Sequence, residues 1–198
     1  MATSTSRQAY LDTGLAVLAD LGYGGLKLAE VCRRLGVTSG SFYHFFENWG
    51  GYTTELITYW RDEQTTALIN EVLSEPDPRQ RLWVLRSIGL SLPYRAEGAI
   101  RTWSNVDPEV RVIQTEVDAA RFAALSDSAF ALCGDRARAD MFARWSMYLL
   151  VGYEQITTAD DPAALGWLFY QAQSALENGT IVDLPEPGAT EHTPPRRD

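Results

Sequence analysis

Histidine and cysteine are scarce in this chain, and their scarcity excludes much chemistry. The two histidines are His44 and His192, the latter inside a proline-rich tail, so no histidine-based triad or metal cluster can be assembled from them. The two cysteines, Cys32 and Cys133, lie far apart with no paired spacing, which suggests neither a disulfide framework nor a zinc site. No apolar run approaches the length needed to span a membrane. The start, MATSTSRQAY, lacks the apolar core of a signal peptide; the expected location is cytoplasmic, with no membrane partner. No glycine-rich phosphate loop follows a strand, and neither G-x-S-x-G nor H-E-x-x-H occurs. Carboxylates are plentiful but fall mostly at helix starts or on polar faces. The expectation is therefore a protein that is not an enzyme and uses no cofactor or metal.

Basic charge is also short. Lysine and arginine total 17 against 26 acidic residues, a net charge of −9. Residues 1–60 hold four basic side chains (Arg7, Lys27, Arg33, Arg34) and five acidic ones. The excess of negative charge thus belongs to the remainder of the chain, and any polyanion would meet a near-neutral amino-terminal part.

Residues 26–46, LKLAEVCRRLGVTSGSFYHFF, organise the rest. Leu28, Val31, Cys32 and Leu35 fall on one face of a short helix. Gly36 breaks it at a tight corner and Val37 anchors the turn. A second short helix follows, with Thr38 or Ser39 as N-cap and Phe42, Phe45 and Phe46 as its apolar face. Two helices crossing steeply through a glycine-containing turn form a helix-turn-helix. Cys32 supplies the small side chain that such a close crossing needs.

The segment GVTSGSFYHFF resembles the recognition segment of the tetracycline-repressor (TetR) family, which typically reads G-V-[ST]-x-G-[ST]-[LF]-Y-x-[HY]-F. Gly36, Val37, Thr38, Gly40, Ser41, Phe42, Tyr43 and Phe46 match. A helix over 6–21, the LGYGGL link and the long helix that follows also suit that family's three-helix amino-terminal domain. The resemblance implies an all-α fold in which a helix-turn-helix DNA-binding domain (residues 1–50) precedes a larger helical ligand-binding and dimerisation domain (51–181); the proline-rich, polar composition of 182–198 predicts a disordered tail. It implies double-stranded DNA with a pseudo-palindromic operator, a small-molecule effector and a second copy of the chain as partners. The implied DNA contacts are Lys27, Thr38, Ser39, Gly40, Ser41, Tyr43 and His44. Arg7 is a further candidate phosphate contact. Glu47 stands where family members often carry a phosphate-binding lysine.

The remainder reads as helices throughout. Periodicity predicts one long helix from about residue 52 to 73. Asp77-Pro78, Asp107-Pro108 and Asp161-Pro162 are helix-start signals, an N-cap aspartate before a first-turn proline. Pro93 ends one helix, a short one covers 96–104, Gly134 ends another, and Asp135 caps the next, to about 156.

Helices over 141–156 and 163–176 are apolar nearly all round. Such a helix is buried on two sides, which points to a four-helix dimer interface involving Leu149, Gly152, Tyr153, Trp167, Tyr170 and Ser174. On 141–156, Met141, Phe142, Trp145, Tyr148, Leu149 and Gly152 form one stripe; Met147, Leu150 and Val151 form a second. Bulky aromatics on separate helices, Trp83, Tyr94, Trp103, Phe122, Trp145 and Tyr148, are the candidate lining of an effector pocket. Arg86, Arg101, Arg121 and Arg144 are candidate anchors for a polar or anionic group. The resulting expectation is a ligand-responsive homodimeric repressor. Its rival is a helical ligand-binding or interaction module whose degenerate helix-turn-helix no longer binds DNA.

Overall fold

Local signals start and stop most of the helices. The computed structural model describes residues 6–156 and 161–181, and among these every regular element is helical. α1 (Arg7–Gly25) begins where the Ser6 hydroxyl accepts a bond from the Ala9 amide at 3.2 Å. Gly22, with φ +67° and ψ −176°, breaks its helical path just after residue 21, where the end was expected, and a last short turn carries the element on to Gly25. α2 (Leu28–Leu35) closes at Gly36, whose φ of +68° lies in the left-handed region that glycine enters without a Cβ clash. α3 (Ser39–Phe42) is a single turn, and residues 43–45 continue it as a non-helical turn. α4 (Trp49–Arg61) is capped by the Asn48 side chain, which accepts from the Gly51 amide at 2.8 Å.

The long helix expected over 52–73 is interrupted. A π-helical turn, Asp62–Thr66, separates α4 from α5 (Ala67–Leu73). The aspartate signals hold: Asp77, Asp107 and Asp161 cap α6 (Pro78–Ser91), α8 (Pro108–Cys133) and α10 (Pro162–Glu177), each accepting from backbone amides of the first turn. α7 (Tyr94–Ser104) starts two residues earlier than expected, directly after Pro93, and Asp135 caps α9 (Arg136–Gln155). The tail expected from residue 182 lies outside the described residues.

The largest core belongs to α1–α4 and reaches into α7 and α8. Tyr10, Phe42, Phe46 and Tyr52 form a buried ring cluster, with Phe42–Tyr52 centroids 5.4 Å apart and edge-on. Ile100 and Trp103 of α7 and Val110 and Val117 of α8 join the same core. At the α7–α9 crossing, a Cβ on Gly98 would come within 2.5 Å of the Glu154 carbonyl oxygen, so glycine sets that spacing.

The stripes expected on α9 regroup. Ala139, Phe142, Ala143, Ser146, Met147, Leu150 and Glu154 face inward, while Trp145, Tyr148 and Gly152 face out. Met147 and Leu150 therefore share the buried side with Phe142. The bulky aromatics had suggested otherwise because a tryptophan or tyrosine can serve either face. On α10, Leu165, Phe169, Ala172 and Leu176 are buried and Trp167 and Tyr170 are exposed.

Candidate functional site

The helix-turn-helix presents a polar row on an aromatic foundation. Phe42 is wholly buried and Phe46 nearly so, which fixes the one-turn α3 despite its length. Thr38, Ser39, Gly40, Tyr43 and His44 are exposed on the other side, Tyr43 by 56%. Thr38 occupies the N-cap position, but its hydroxyl makes no capping bond and is free for a ligand. Ser41 differs from its neighbours. It is half-buried, and its oxygen accepts a bond from the Tyr10 hydroxyl at 3.2 Å, tying α3 to α1.

Three of the four basic side chains of this region are already engaged. Arg7 binds Glu55 and the Phe45 carbonyl and lies over the Phe46 ring at 4.6 Å, so it clamps α1 to α4. The carboxylate that the fold brings beside it gives this candidate phosphate contact a structural role. Arg33 and Arg34 both bind Glu30, at 2.7 and 2.8 Å, and Arg34 reaches Asp20 at 2.6 Å. Hydrogen bonds from Arg33 and then Arg34 hold the Glu30 carboxyl down at about 2. Lys27, exposed at the N-cap of α2, has no acidic partner among the described residues. Glu47 is exposed just beyond α3.

A second feature lies in the body. A partly open cavity of about 80 Å³ is bounded by the π-turn and α5, α6, α8, α9 and α10. Its wall is mainly Leu68, Ile69, Leu82, Leu85, Ile88, Leu92, Leu125, Phe142, Met147, Leu150 and Phe169. The polar members are Thr65, Arg86, Arg121, Ser146 and Gln173. Thr65 sits in the π-turn, and its buried hydroxyl has no hydrogen-bond partner; such turns recur at functional sites. α6 contributes one fully buried residue, Leu82.

None of the six aromatics expected to line this cavity does so. Trp103 stacks on Tyr23, 5.1 Å between centroids, in the amino-terminal core. Tyr94 meets Tyr153 edge-on at 4.6 Å, and burial pushes its hydroxyl up to about 12. Phe122 lies under the Arg144 guanidinium at 5.5 Å. Trp83, Trp145 and Tyr148 are exposed, Tyr148 by 70%. Ring size carried no information about side. Of the candidate anchors, Arg86 and Arg121 reach the cavity wall, and Arg101 and Arg144 do not line it.

Between cavity and amino-terminal core runs a buried ionic cluster. Arg121 donates to Glu97 at 2.9 and 3.3 Å, and Glu97 also accepts from the Trp60 indole N–H at 2.8 Å. Arg101 donates to Asp118 at 2.8 and 3.0 Å and to Glu154 at 3.2 Å. Three carboxylates thus face two guanidiniums, and one Glu154 oxygen is buried without a partner. Burial, then repulsion from Glu97, raises the Glu154 carboxyl to about 7. Sequence reading missed Glu97 and Glu154. Each is a lone acid on a helix, where a solvated position is the ordinary outcome.

The residues expected at a dimer interface fall on one side of α9 and α10. Gly152, Trp167 and Tyr170 are exposed, while Leu149, Tyr153 and Ser174 are half-buried.

Fold and interface together define a helix-turn-helix protein with a helical, cavity-bearing body. Residues 11–48 match the family model for bacterial regulatory proteins, tetR family. A transcriptional regulator from Rhodococcus sp. Rha1 superposes with a TM-score of 0.72 at 20% identity, covering 88% of this chain and 97% of the other. A transcriptional regulator from Saccharomonospora viridis, in complex with choline, gives 0.72 at 17% identity with the same coverage. The transcriptional regulator FadR from Bacillus subtilis, in complex with stearoyl-CoA, gives 0.62 at 14%, covering 88% and 99%. No curated protein matches the chain by sequence. The amino-terminal helix-turn-helix is thus similar to that of the tetR family, and the chain as a whole shares the fold of these solved structures. No helix among the described residues is long and apolar enough to cross a membrane.

Proposed function

We propose that the protein is a homodimeric repressor, released from a pseudo-palindromic operator when a small amphipathic molecule enters the body cavity. The observation that carries this reading is the exposed row Thr38, Ser39, Gly40, Tyr43 and His44, set on a buried aromatic cluster. Thr38 and Ser39, at the amino end of α3, suit base edges. Tyr43, His44 and Lys27 suit phosphates, which orient the protein without reading sequence. Ser41 acts from behind, through Tyr10.

The outward apolar side of α9 and α10 supports the dimer. Tyr148, Ile156, Trp167 and Tyr170 are each more than half exposed there, and a two-fold packing of these helices would cover them. Within this reading, residues 1–50 are the DNA-binding unit and 51–181 the effector-binding and dimerisation unit. Structural neighbours in complex with choline and with stearoyl-CoA support a small-molecule effector. Coupling between effector and DNA would run from Arg121 in the cavity wall, through Glu97, to Trp60 on α4.

Fluorescence anisotropy on DNA flanking the gene, against scrambled duplex and across a salt series, tests the proposal. Saturable, sequence-dependent binding with a shallow salt slope is expected, because few phosphates are neutralised. Tyr43→Ala should weaken binding to all sequences alike and Ser39→Ala should change preference. The engaged arginines and exposed Glu47 favour a second reading, a ligand-binding module that has lost DNA. No preference for any flanking fragment over scrambled DNA, from a well-folded dimer, would select it.

A further inference from the structure

We infer that the cavity is built for an amphipathic anion, its apolar body among the leucines and phenylalanines and its acid group on Arg86. The inference rests on the reading of the cavity as the effector site.

Charge in the wall decides the sign of the ligand. The lining contains two guanidiniums and no carboxylate. Arg121 is neutralised from behind by its paired bonds to Glu97. Arg86 is different. Its bond is to a neutral amide, the Gln173 oxygen at 3.3 Å, and its remaining contact is the Tyr170 ring at 6.0 Å. No acidic partner for Arg86 occurs among the described residues, so the wall carries one uncompensated positive charge beside apolar surface. An arginine fork matches a carboxylate or phosphate in geometry as well as charge.

The other polar groups agree. Thr65 offers a hydroxyl that is buried in the wall without a partner. An organic cation would find no carboxylate in the wall and would face Arg86 directly. A neutral hydrocarbon would leave the Arg86 guanidinium without a counter-charge. Tyr170 lies on the outward side of α10, so the Arg86 end adjoins the surface and the apolar body points inward.

The test compares three ligands of one chain length, octanoate, 1-octanol and octyltrimethylammonium, by isothermal titration calorimetry on the full chain. Octanoate is expected to bind at least about tenfold more tightly than either of the others, the scale of one charge-assisted hydrogen bond. Arg86→Gln should bring octanoate down to parity with octanol while leaving octanol unchanged, and Arg86→Lys should restore part of the difference. Leu125→Trp, which fills the cavity, should abolish binding of all three. Octanol or the ammonium binding as well as octanoate, or a preference that survives Arg86→Gln, would overturn the anion assignment and leave the cavity reading standing. No binding by any of the three, or binding unaffected by Leu125→Trp, would overturn the cavity reading and the inference with it.

Discussion

In the amino-terminal region, Tyr10, Phe42 and Tyr52 are wholly buried and meet ring to ring, and Arg7 and Ser41 fasten the helices that carry them. In the body, α6 buries one residue completely and runs beside a cavity that holds an unpartnered hydroxyl. A close-packed interior transmits displacement as a unit, whereas a cavity wall can move at little cost. On the function proposed above, the difference would suit a reader that keeps its shape and a sensor that changes. The ionic cluster of Trp60, Glu97, Arg121, Arg101, Asp118 and Glu154 lies where the two meet.

The comparison is broken most directly by truncation on each side. Phe42→Ala should destabilise the protein by about 3–5 kcal/mol, the range for an aromatic deleted from a packed core. Leu85→Ala, in the half-buried cavity wall, should cost only about 1–2 kcal/mol, because much of its side chain already faces empty space. Urea unfolding followed by tryptophan fluorescence measures both. Equal losses would mean that the body is as tightly packed as the reading unit.

Glu97→Leu probes the boundary. It strands Arg121 in the interior, and breaking a buried pair from one side costs about 3–5 kcal/mol. Glu97→Gln keeps an acceptor for Trp60 and should cost clearly less. If Glu97 also couples the two regions, Glu97→Gln will bind operator and effector independently. Mutual weakening of wild-type size in that variant would place the coupling elsewhere.

The same cluster predicts a pH dependence. The folded Glu154 carboxyl holds its proton to about pH 7, and the unfolded chain releases it in the ordinary range near 4.5. Between those values the folded state binds more protons, so stability falls as pH rises, by about 3 kcal/mol at most. Glu154→Gln removes that slope and should be more stable than wild type near pH 8. Urea titrations at pH 5, 6, 7 and 8 decide it; parallel curves for the two proteins would show that another group carries the proton.

Sequence and structure agree where the controlling interaction is local. An Asp-Pro pair caps its own helix, and Asp77, Asp107 and Asp161 do so. Gly36 turns its own corner. The motif from Gly36 to Phe46 was readable for the same reason, since its buried and exposed sides alternate within one turn. The cavity was not readable, because which side an aromatic takes depends on helices distant in sequence. α9 turns Ser146 and Glu154 inward and Trp145 and Tyr148 outward, against their polarity. The π-turn in Asp62–Thr66 has no proline or glycine to announce it. The pairing of Arg7 with Glu55, 48 residues away in sequence, was equally unreadable.

The smallest effect concerns the charge of the reading unit. With Arg7, Arg33 and Arg34 held by acids, Lys27 is the cation without an acidic partner in residues 6–60, and Glu47 opposes it. Each phosphate neutralised adds roughly one unit to the slope of log affinity against log salt. Glu47→Lys should therefore steepen the slope by about one and tighten operator binding several-fold at low salt, the gain shrinking as salt is raised. Lys27→Ala should flatten the slope by about as much. Because the substituted side chains are exposed and the aromatic cluster beneath them is untouched, octanoate affinity should not change in either variant. A slope that is unmoved by Glu47→Lys would mean that residue 47 does not face the phosphates, and the recognition helix would then have to enter the groove at a different angle from the one the exposed row implies.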